Sequence, residues 1–426
     1  MEVRDPVHGV IPIERDVLAI VDHPFVQRLR NIKQTGFSHL PFPGATHTRY
    51  AHVVGCMHLA GVAFDVIAKD ARLAPDVRKR LRSAVRLAAL CHDLGHAPFS
   101  HCTEFAMPAL ADLGVGFYGP GQLDRKAHHE DYTIAILERT SLAELIGRTF
   151  PFDARHVAAL ISDDVAVVDD FFQVGGLDWR RVLAQLVSGE IDVDRLDYLR
   201  RDSYFTGARY GQIDADWILS NLVAVPHEGT MSLALDSRAI YAFDDFLIAR
   251  HHMFLQVYFH HKSVVFEEML KRYVTSKDGT LVVPSALDEY LVFDDIALEM
   301  HLRGATNNWA RRIVEHRPWR RVLEKHGAPE DVDLEPEKSL LFAAGIGVIH
   351  TASTGRLSRY TGPGPKKAPP ILVLDRMPGQ PVERVRPLSD ASDVFARYAD
   401  VRRIARLYVA PEEVGKARLA LGLPVA

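Results

Sequence analysis

The sequence has few cysteines and little net charge. Its 426 residues include three cysteines, which form neither a CxxC pair nor a disulfide framework. This usage is typical of a reducing compartment, so we expect a cytoplasmic protein. The net charge of −4 at pH 7 gives no support to binding of long nucleic acids or of an acidic membrane surface.

The sequence also lacks export and membrane signals. Its first residues, "MEVRDPVHGV", carry no basic stretch followed by an apolar one, so we expect no signal peptide. No uninterrupted apolar run approaches the roughly 18 residues of a membrane span, so we expect no membrane partner. The composition, 47% hydrophobic and 25% charged, is that of a globular chain with one large domain and appendages, or with two domains.

Apolar residues at helical spacing dominate the first 275 residues. The spacing predicts helices over residues 24–34, 50–70, 74–93, 129–147, 178–202 and 243–274. The last of these segments is one long amphipathic stretch. We therefore expect a mostly α-helical core domain over residues 1–275.

Residues 276–426 have a mixed character, and we expect a small α/β C-terminal appendage there. "ILVLDRM" and "RIARLYVA" predict buried strands, with the helix-like residues 389–401 between them. Residues 351–370 are polar and rich in glycine, proline and basic residues, which predicts a mobile loop.

Histidine is unusually frequent, with 21 residues, and three of them lie in "CHDLGHAPFSH". Neighbouring side chains on a helix diverge by about 100°, so His92 and Asp93 can hold one ion only if the helix is distorted there. Gly95 and Pro98 favour such an ending. Imidazole with carboxylate suits Fe, Mn, Co, Ni or Zn better than Ca. A lone His-Asp pair is equally consistent with a cap or a surface pair.

A second polar strip lies on another predicted helix. Asp194, Tyr198 and Asp202 are spaced i, i+4, i+8 and share one helical face. Carboxylates against an apolar core are costly unless they are paired or bound to a metal. A solvated face with ion pairs to Arg195 and Arg201 explains the strip as well.

Six ordered segments resemble the HD-domain phosphohydrolases, in the branch of the deoxynucleoside triphosphate triphosphohydrolases. They are "DPVHGVIPIE", "FVQRLRNIKQTG", "FPGATHTRYAHVVG", "HDLGHAPFSH", "HHED" and "IDVDRLDYLRRDS". They span about residues 3–210, and "VYFHHK" extends the resemblance to about residue 262. The resemblance implies hydrolysis of a deoxynucleoside triphosphate to deoxynucleoside and inorganic triphosphate, by attack of metal-activated water on the α-phosphorus.

The resemblance also implies a divalent metal held by four residues, His52, His92, Asp93 and Asp194. Two histidines and two carboxylates leave coordination positions open for water and a phosphate oxygen, as a catalytic site requires. The candidate ions are Mn, Mg, Fe, Zn, Ni and Co.

Further residues match the inner site of the family. The catalytic candidates are His96, His101, Glu104, His129 and Glu130. A histidine near the α-phosphorus can move a proton to the leaving 5′-oxygen, and a carboxylate can hold its tautomer. The substrate-binding candidates are Gln34, Arg49, Arg195, Tyr198, Asp202, Arg250 and Tyr258. Arg195 stands where many relatives carry lysine, and Tyr198 at the ribose 2′ edge favours deoxyribose, although plain packing also explains it.

The resemblance extends more weakly to regulation. Relatives often bind a guanine nucleotide between subunits of a homo-oligomer, and Asp22, Gln27 and Arg30 match that motif. Simple packing of the segment explains these residues equally well. We expect a dimer or tetramer. Basic residues in the 351–370 loop (Arg356, Arg359, Lys366, Lys367) are either solvated or reach a phosphate on a neighbouring subunit.

Three alternatives stay open at this point. The chain could hydrolyse a ribonucleoside triphosphate or a nucleoside monophosphate, it could bind nucleotide as a sensor without turnover, or it could be a nuclease. The acidic net charge argues against a nuclease that binds long polymers. A cyclic-dinucleotide phosphodiesterase is not expected, because "HHED" lacks the glycines and the "GYP" of the pattern HHExxDGxGYP.

Overall fold

The computed structural model describes residues 1–69, 71–118, 124–355, 371–376, 384–392, 394 and 402–424. The helices of the N-terminal half are α1 Arg15–Val21, α2 Pro24–Arg28, α3 Arg49–Ile67, α4 Pro75–Cys91, α5 His129–Arg139, α6 Ser141–Thr149, α7 Ala154–Ile161, α8 Arg180–Val187 and α9 Val193–Thr206. The later helices are α10 Ala215–Ser220, α11 Ile240–Met253, α12 His261–Thr275, α13 Leu287–Leu291, α14 Asp295–Gly304, α15 Asn308–Val314, α16 Glu335–Ala343 and α17 Val414–Ala420. The expected mostly helical fold with small sheets is confirmed.

The centre of the fold is α3, which packs against α4, α8 and α9. Its apolar residues point in all directions because neighbours cover it on several sides. By length and a mean hydropathy of 1.4, Arg49–Ile67 could cross a membrane, but 67% of that window is buried inside the fold. It is therefore a core helix, and its first turn carries His52.

The turn after α4 holds the HD motif and is fixed from two sides. Arg28 donates to the backbone oxygen of His96 at 2.8 Å, and Asp295 accepts from the backbone N–H of Phe99 at 2.7 Å. A Cβ on Gly95 would lie 2.0 Å from the backbone oxygen of His129, so only glycine lets α5 approach this closely. These contacts bring the HD turn and the start of α5 into one wall.

The predicted long helix over 243–274 is wrong as a single element. After α11, a π-helical turn spans Phe254–Tyr258, where the backbone N–H of Phe259 donates to Phe254 at 2.9 Å. His260 then leaves the helical conformation, and its Nδ1 caps α12 by accepting from the backbone N–H of Lys262. The apolar spacing continues through the break, so periodicity could not locate it.

Two other predicted helices are also interrupted. The segment 129–147 breaks at Thr140, whose hydroxyl accepts from the backbone N–H of Leu142 and caps α6. The segment 178–202 breaks before α9, where Asp192 accepts from the backbone N–H of Arg195 at 2.8 Å. In both places a short polar side chain satisfies the first N–H groups of a new helix.

The strands of the described residues form three sheets. They are β1 Glu2–Asp5, β2 Gly9–Pro12, β3 Gln173–Val174, β4 Leu177–Asp178, β5 Leu222–His227, β6 Thr230–Asp236, β7 Arg320–Gly327, β8 Ile349–Gly355, β9 Leu372–Asp375, β10 Arg384–Pro387 and β11 Arg402–Val409. β1 and β2 form an antiparallel hairpin. β7, β11 and β8 form an antiparallel sheet that shares a small apolar core with α16 and α17.

The third sheet links the two halves of the chain. β6 pairs antiparallel with β5 and parallel with β9, in register Ala234 to Leu372. The strands predicted in "ILVLDRM" and "RIARLYVA" are confirmed as β9 and β11. The prediction of a loop over 351–370 is wrong for residues 351–355, which pair with β11 and so belong to β8. Residues 356–370, with their four basic residues, lie outside the described residues, as does most of the helix-like 389–401.

Candidate active site

The predicted metal ligands come from three helices and meet at one point. Nε2 of His52 lies 3.1 Å from Oδ1 of Asp194 and 3.6 Å from Oδ2 of Asp93. Nε2 of His92 lies 3.4 Å from Oδ1 of Asp93 and 3.7 Å from Oδ1 of Asp194. Donor atoms bound at about 2.1 Å to one ion are about 3.0–3.4 Å apart in octahedral or tetrahedral geometry. Ligand atoms of His52, His92, Asp194 and the buried Cys56 all lie within 4.8 Å of one another. Asp93 approaches His52 with Oδ2 and His92 with Oδ1, so one of its oxygens must turn toward the site to share an ion with them.

Adjacent ligands are able to face one point because α4 ends at Cys91. His92 is the C-cap of the helix, and turns follow it instead of a further helical residue. The predicted distortion after the helix is thus present in the structure. His92 itself keeps helical dihedrals, φ −56° and ψ −29°, so the change of chain direction comes after it.

The second nitrogen of each ring fixes its orientation. Nδ1 of His92 lies 2.8 Å from the backbone oxygen of Ala89, and Nδ1 of His52 lies 2.8 Å from Oδ2 of Asp197. Both partners only accept, so Nδ1 of each ring carries a proton, and Nε2 is the nitrogen left to face an ion. Nε2 of His92 is buried and has no hydrogen-bond partner in the described part of the chain. A buried ring nitrogen without a hydrogen-bond partner is available to coordinate a metal ion.

The site keeps its carboxylates charged. Burial would raise the pKa of Asp93, but the Arg49 guanidinium and the neighbouring imidazoles hold that pKa well below its usual range. Burial would raise the pKa of Asp194 as well, but the adjacent imidazoles of His52 and His92 lower it. Both aspartates are therefore ionised at neutral pH, the form that binds a cation. The side chain of Asp194 is 35% exposed, so the site is open on its side.

The predicted catalytic residues form a second cluster beside the first. Glu104 accepts from Nδ1 of His129 at 2.6 Å and from Nδ1 of His101 at 3.0 Å. Nε2 of His96 lies 3.2 Å from Oδ1 of Asp93 and so joins the cluster to the metal ligands. Burial raises the pKa of Glu104, but hydrogen bonds and charge from His101 and His129 hold it well below its usual range. Glu130 is exposed at the rim of a cavity that these histidines also line.

Three histidines of this second cluster, His96, His101 and His129, also lie close enough together to suggest another ion. The rings of His96 and His129 are stacked, with centroids 4.0 Å apart and planes 12° apart. In-plane lone pairs of stacked rings run nearly parallel and do not converge on one ion. We therefore interpret this cluster as a group for proton transfer.

A cavity of about 420 Å³ opens beside Asp194, and a smaller one of about 200 Å³ continues to the histidines. The two cavities share six lining residues, Gln34, Arg49, His101, Asp194, Arg195 and Tyr198. The larger volume lies in the range of small-molecule sites. All seven predicted substrate-binding residues line it.

Each predicted phosphate-binding arginine is held by an acidic residue. The pairs are Arg49 with Asp93, Arg195 with Asp192, and Arg250 with Glu190. A guanidinium carries five N–H donors, more than one carboxylate accepts. The pairing therefore orients each planar fork at the cavity wall without exhausting its capacity for an anion.

The predicted sugar-facing residues form a hydrogen-bonded group. Asp202 accepts from the hydroxyl of Tyr258 at 2.6 Å and binds Nε2 of His47 at 2.6 Å. The rings of Tyr198 and Tyr258 meet edge to face with centroids 6.2 Å apart. The π-helical turn places Tyr258 here, because it shifts the residue relative to a regular helix.

The predicted regulatory residues lie away from this cavity. Arg30 donates to the Gln27 side chain at 2.7 Å and stacks over the ring of Tyr50 at 3.6 Å. The Gln27 amide donates to the backbone oxygen of Val21. Asp22 is exposed at the end of α1. The three residues therefore share one exposed edge, and their role stays a prediction.

Sequence reasoning missed several residues that support the site. They are His8, His47, Cys56, Glu190, Asp192 and Asp197. Cys56 follows His52 by one helical turn, and its sulfur lies 3.6 Å from Nε2 of that ring. The i, i+4 spacing was a signal for Cys56. The i, i+3 spacing of Asp192 and Arg195 was a local signal too. The remaining contacts join residues far apart in the chain, which no local spacing reveals.

Comparisons with known proteins agree with this picture. A family model described as an HD associated region matches residues 213–332. An uncharacterised protein of Methanocaldococcus jannaschii is 30% identical over 323 residues, which cover 75% of this chain and 59% of that protein. The deoxynucleoside triphosphate triphosphohydrolase SAMHD1 homolog of Dictyostelium discoideum is 28% identical over 291 residues, covering 67% of this chain and 51% of that protein. The chain thus spans between half and three-fifths of the length of these two relatives.

The fold has a solved counterpart. The crystal structure of a hypothetical protein from Aquifex aeolicus superposes with a TM-score of 0.76 at 24% identity, and the match covers 99% of each chain. At this identity the likeness concerns the fold alone. The HD associated region, the sequence relatives and the ordered motifs support an HD-domain family whose members include deoxynucleoside triphosphate triphosphohydrolases.

Proposed function

We propose that the chain is a divalent-metal-dependent phosphohydrolase that cleaves deoxynucleoside triphosphates to deoxynucleoside and inorganic triphosphate. One observation carries the proposal. Ligand atoms of His52, His92 and Asp194 lie together, with Asp93 beside the two histidines, at the open side of a cavity lined by three arginines. A cation site facing a cationic pocket suits a polyphosphate and gives no advantage to a neutral ligand.

The ligand set fits a catalytic ion better than a structural one. A structural zinc site closes its coordination with four protein ligands, usually including thiolates. Here imidazole and carboxylate donors lie beside the Cys56 thiol, whose pKa burial raises so that it stays protonated, and Asp194 is partly open to the cavity. A divalent ion bound here would supply Lewis-acid polarisation of a phosphate oxygen and a more acidic bound water. The donor set accepts Mn, Fe, Co, Ni, Zn or Mg.

The chain's own residues supply binding and proton transfer. Arg49, Arg195 and Arg250 stabilise the negative charge of the phosphates, which is the largest electrostatic demand of phosphoryl chemistry. Glu104 fixes His101 and His129 with Nδ1 protonated. Such a held imidazole can give a proton to the leaving 5′-oxygen. The expulsion of a neutral deoxynucleoside requires that proton.

A product assay tests the proposal. The protein is incubated with Mn²⁺ or Mg²⁺ and each deoxynucleoside and ribonucleoside triphosphate, with and without GTP or dGTP, and products are separated by ion exchange. We expect deoxynucleoside and triphosphate, and stimulation by the guanine nucleotide would support the predicted regulatory edge. Diphosphate or monophosphate products would overturn the α-phosphorus attack. Tight nucleotide binding without turnover under any metal would favour a sensor.

Sugar selection is tested at Tyr198, which lines the cavity beside Asp202 and Tyr258. Replacing Tyr198 by Ala opens space at the sugar, so we expect the kcat/KM ratio of ribonucleotide to deoxyribonucleotide to rise about tenfold or more. Tyr198→Phe keeps the ring and is the matched control, with an unchanged ratio expected. A constant ratio in the alanine variant would place sugar selection elsewhere.

A further inference from the structure

A buried carboxylate lies directly behind the candidate metal site. Asp197 occupies the face of α9 that packs on α3, and its side chain is fully buried. Its Oδ2 accepts from Nδ1 of His52 at 2.8 Å and from Nε of Arg201 at 2.8 Å. Its Oδ1 accepts from Arg201 at 2.8 Å and from Nε2 of His8 at 2.6 Å. Four donors therefore saturate one carboxylate.

The partners of Asp197 are themselves fixed. The guanidinium of Arg201 is fully buried and also donates to Asp5 at 2.8 Å. Asp5 accepts from the backbone N–H of Val7 and of His8, which shapes the turn between β1 and β2. The imidazole of His8 is only 3% exposed. The "DPVHG" turn is thus tied to α9 across 189 residues of chain.

The packing of α3 on α9 makes room for this network. A Cβ on Gly55, one helical turn beyond His52, would lie 2.0 Å from Oδ1 of Asp197 and 2.6 Å from the guanidinium of Arg201. Only glycine lets the buried carboxylate reach α3 at this level. The geometry of the helix pair is therefore built around the contact between Asp197 and His52.

We propose that Asp197 is a positioning residue that holds His52 in the tautomer and ring orientation needed to bind the metal, and that His8 of the "DPVHG" turn supports it. An acceptor at Nδ1 keeps the proton there, so Nε2 presents a lone pair to the site. The negative charge also raises the ligand strength of the imidazole. Arg201 and His8 keep the carboxylate itself from rotating away.

A plain structural role would not require this arrangement. A buried ion pair between Asp197 and Arg201 alone satisfies both charges, and it would stabilise the helix in the same way wherever it lay. Here two of the four hydrogen bonds that the Asp197 carboxylate accepts come from imidazoles, and one of these imidazoles, His52, is a candidate metal ligand. The inference rests on the metal site of the proposed function.

The first test is Asp197→Asn in the full chain. The amide loses the negative charge in either orientation, and in one of them it donates to Nδ1 and drives the His52 proton onto Nε2. We expect the dissociation constant for Mn²⁺, measured by competition with a chelator, to rise about 10- to 100-fold. In metal-free protein, at a pH high enough for the ring between Asp194 and Asp197 to be neutral, ¹⁵N spectra of labelled histidine should show His52 moving toward the Nε2–H tautomer.

The matched control is Asp236→Asn. Asp236 is also a buried carboxylate paired with an arginine, Arg238, and it caps a short helical turn at the end of β6. We expect its metal affinity and histidine spectra to match those of the wild type. Equal affinity for Mn²⁺ in Asp197→Asn and wild type, with an unchanged His52 tautomer, would overturn the inference.

A pair of variants at His8 keeps the test independent of folding at Asp197. His8→Leu removes one donor to the carboxylate, and we expect metal affinity to fall about tenfold or less. His8→Gln places an amide N–H near the position of Nε2 and should restore affinity, whereas a purely steric role would leave both variants alike. If the wild type binds no divalent ion, the proposed function fails, and the tautomer of His52 in metal-free protein still tests the positioning role.

Discussion

At the scale of single residues, four histidine rings of the site are each oriented by a hydrogen bond from Nδ1, the nitrogen that points away from the site. In His52, His101 and His129, Nδ1 forms a hydrogen bond to a carboxylate. In His92, Nδ1 forms one to a backbone oxygen. Fixing one nitrogen decides which atom the ring offers to an ion or a substrate. The chemistry of the site therefore depends on partners that touch neither metal nor substrate.

Glu104 is the residue whose loss should separate proton transfer from metal binding. In Glu104→Gln the amide cannot accept from both His101 and His129 with the charge of a carboxylate, so neither ring is held as a proton donor. We expect kcat to fall about 100-fold or more, with the affinity for Mn²⁺ unchanged within about twofold. Steady-state kinetics and a chelator titration measure the two quantities.

Glu138→Gln is the control for that prediction. Glu138 lies on α5 and accepts from the backbone N–H groups of Gly116 and Phe117, away from the histidines. We expect its kcat to match the wild type. A Glu104→Gln enzyme with normal kcat would remove the cluster from the proton-transfer role.

At the scale of elements, helix pairs set the distances between functional side chains. α3 carries His52, α9 carries Asp194, and the two helices approach at Gly55. A small increase in their separation would move the ligands apart. The close approach thus links packing energy to the geometry of the site.

Gly55→Ala should be destabilising although alanine favours helices. The added Cβ would overlap the buried Asp197 and Arg201 side chains, and we expect the free energy of unfolding to drop by about 2 kcal/mol or more. Denaturant unfolding followed by circular dichroism measures the change.

Gly147→Ala provides the opposite case within the same protein. Gly147 lies in α6, and a Cβ there would meet nothing within 4 Å. We expect a gain of about 0.5–1 kcal/mol from helix propensity and the less flexible unfolded chain. Equal effects at Gly55 and Gly147 would contradict the close packing of α3 on α9.

The three-stranded sheet should show a pH-dependent stability through Glu324. Burial raises the pKa of Glu324, but hydrogen bonds and charge from Arg406, His326 and Arg321 bring it to about 2. A folded pKa below the unfolded value of about 4.3 gives stability that is present above that value and lost as the pH falls toward 2. We expect Glu324→Gln to cost about 1 kcal/mol at pH 6, after allowance for solvent screening.

The same comparison at low pH completes that test. At pH 2 the wild-type carboxyl is about half protonated in the folded state and almost fully protonated in the unfolded state, so most of the difference in denaturant midpoint between wild type and Glu324→Gln should be lost. A difference that stays constant between pH 6 and pH 2 would show that the glutamate acts through its shape and not through its charge.

At the scale of the whole molecule, the candidate metal site joins distant parts of one chain. His52 and Asp194 are separated by more than a hundred residues, and α3, α4 and α9 must be packed before the four ligands meet. An ion that binds this arrangement binds the folded state only. The site should therefore stabilise the fold as well as serve the reaction.

Metal removal tests this coupling. At a concentration of about 100 times the dissociation constant, an ion adds about 2.7 kcal/mol to the free energy of unfolding. We expect Mn²⁺ to raise the Tm by several degrees and a chelator to reverse the shift. Asp194→Ala should abolish both the shift and the activity, whereas Asp216→Ala, at an 87% exposed carboxylate, should retain them. A metal-induced shift of full size in Asp194→Ala would place the ion elsewhere.

The chain's local spacing was enough to predict the helical core and the strands β9 and β11, whereas the residues of the candidate metal site were implied by the resemblance of ordered motifs to a family. Helical period and helix-ending residues depend on neighbours in sequence, which is why the end of α4 after Cys91 could be anticipated. The break at Phe254–Tyr258 escaped, because an apolar pattern of period 3.6 continues through a π-helical turn.

The tertiary structure decided which atoms of those residues face one another. The contact of His8 with Asp197 spans 189 residues, and the pairing of β6 with β9 joins two regions that composition alone had separated. Neither contact produces a periodic pattern in the sequence. Each forms only when helices and strands pack, because their buried polar groups must then be paired. The sequence by itself thus determined the kinds of ligand and their helices, and packing alone determined the ring orientations that make them a site.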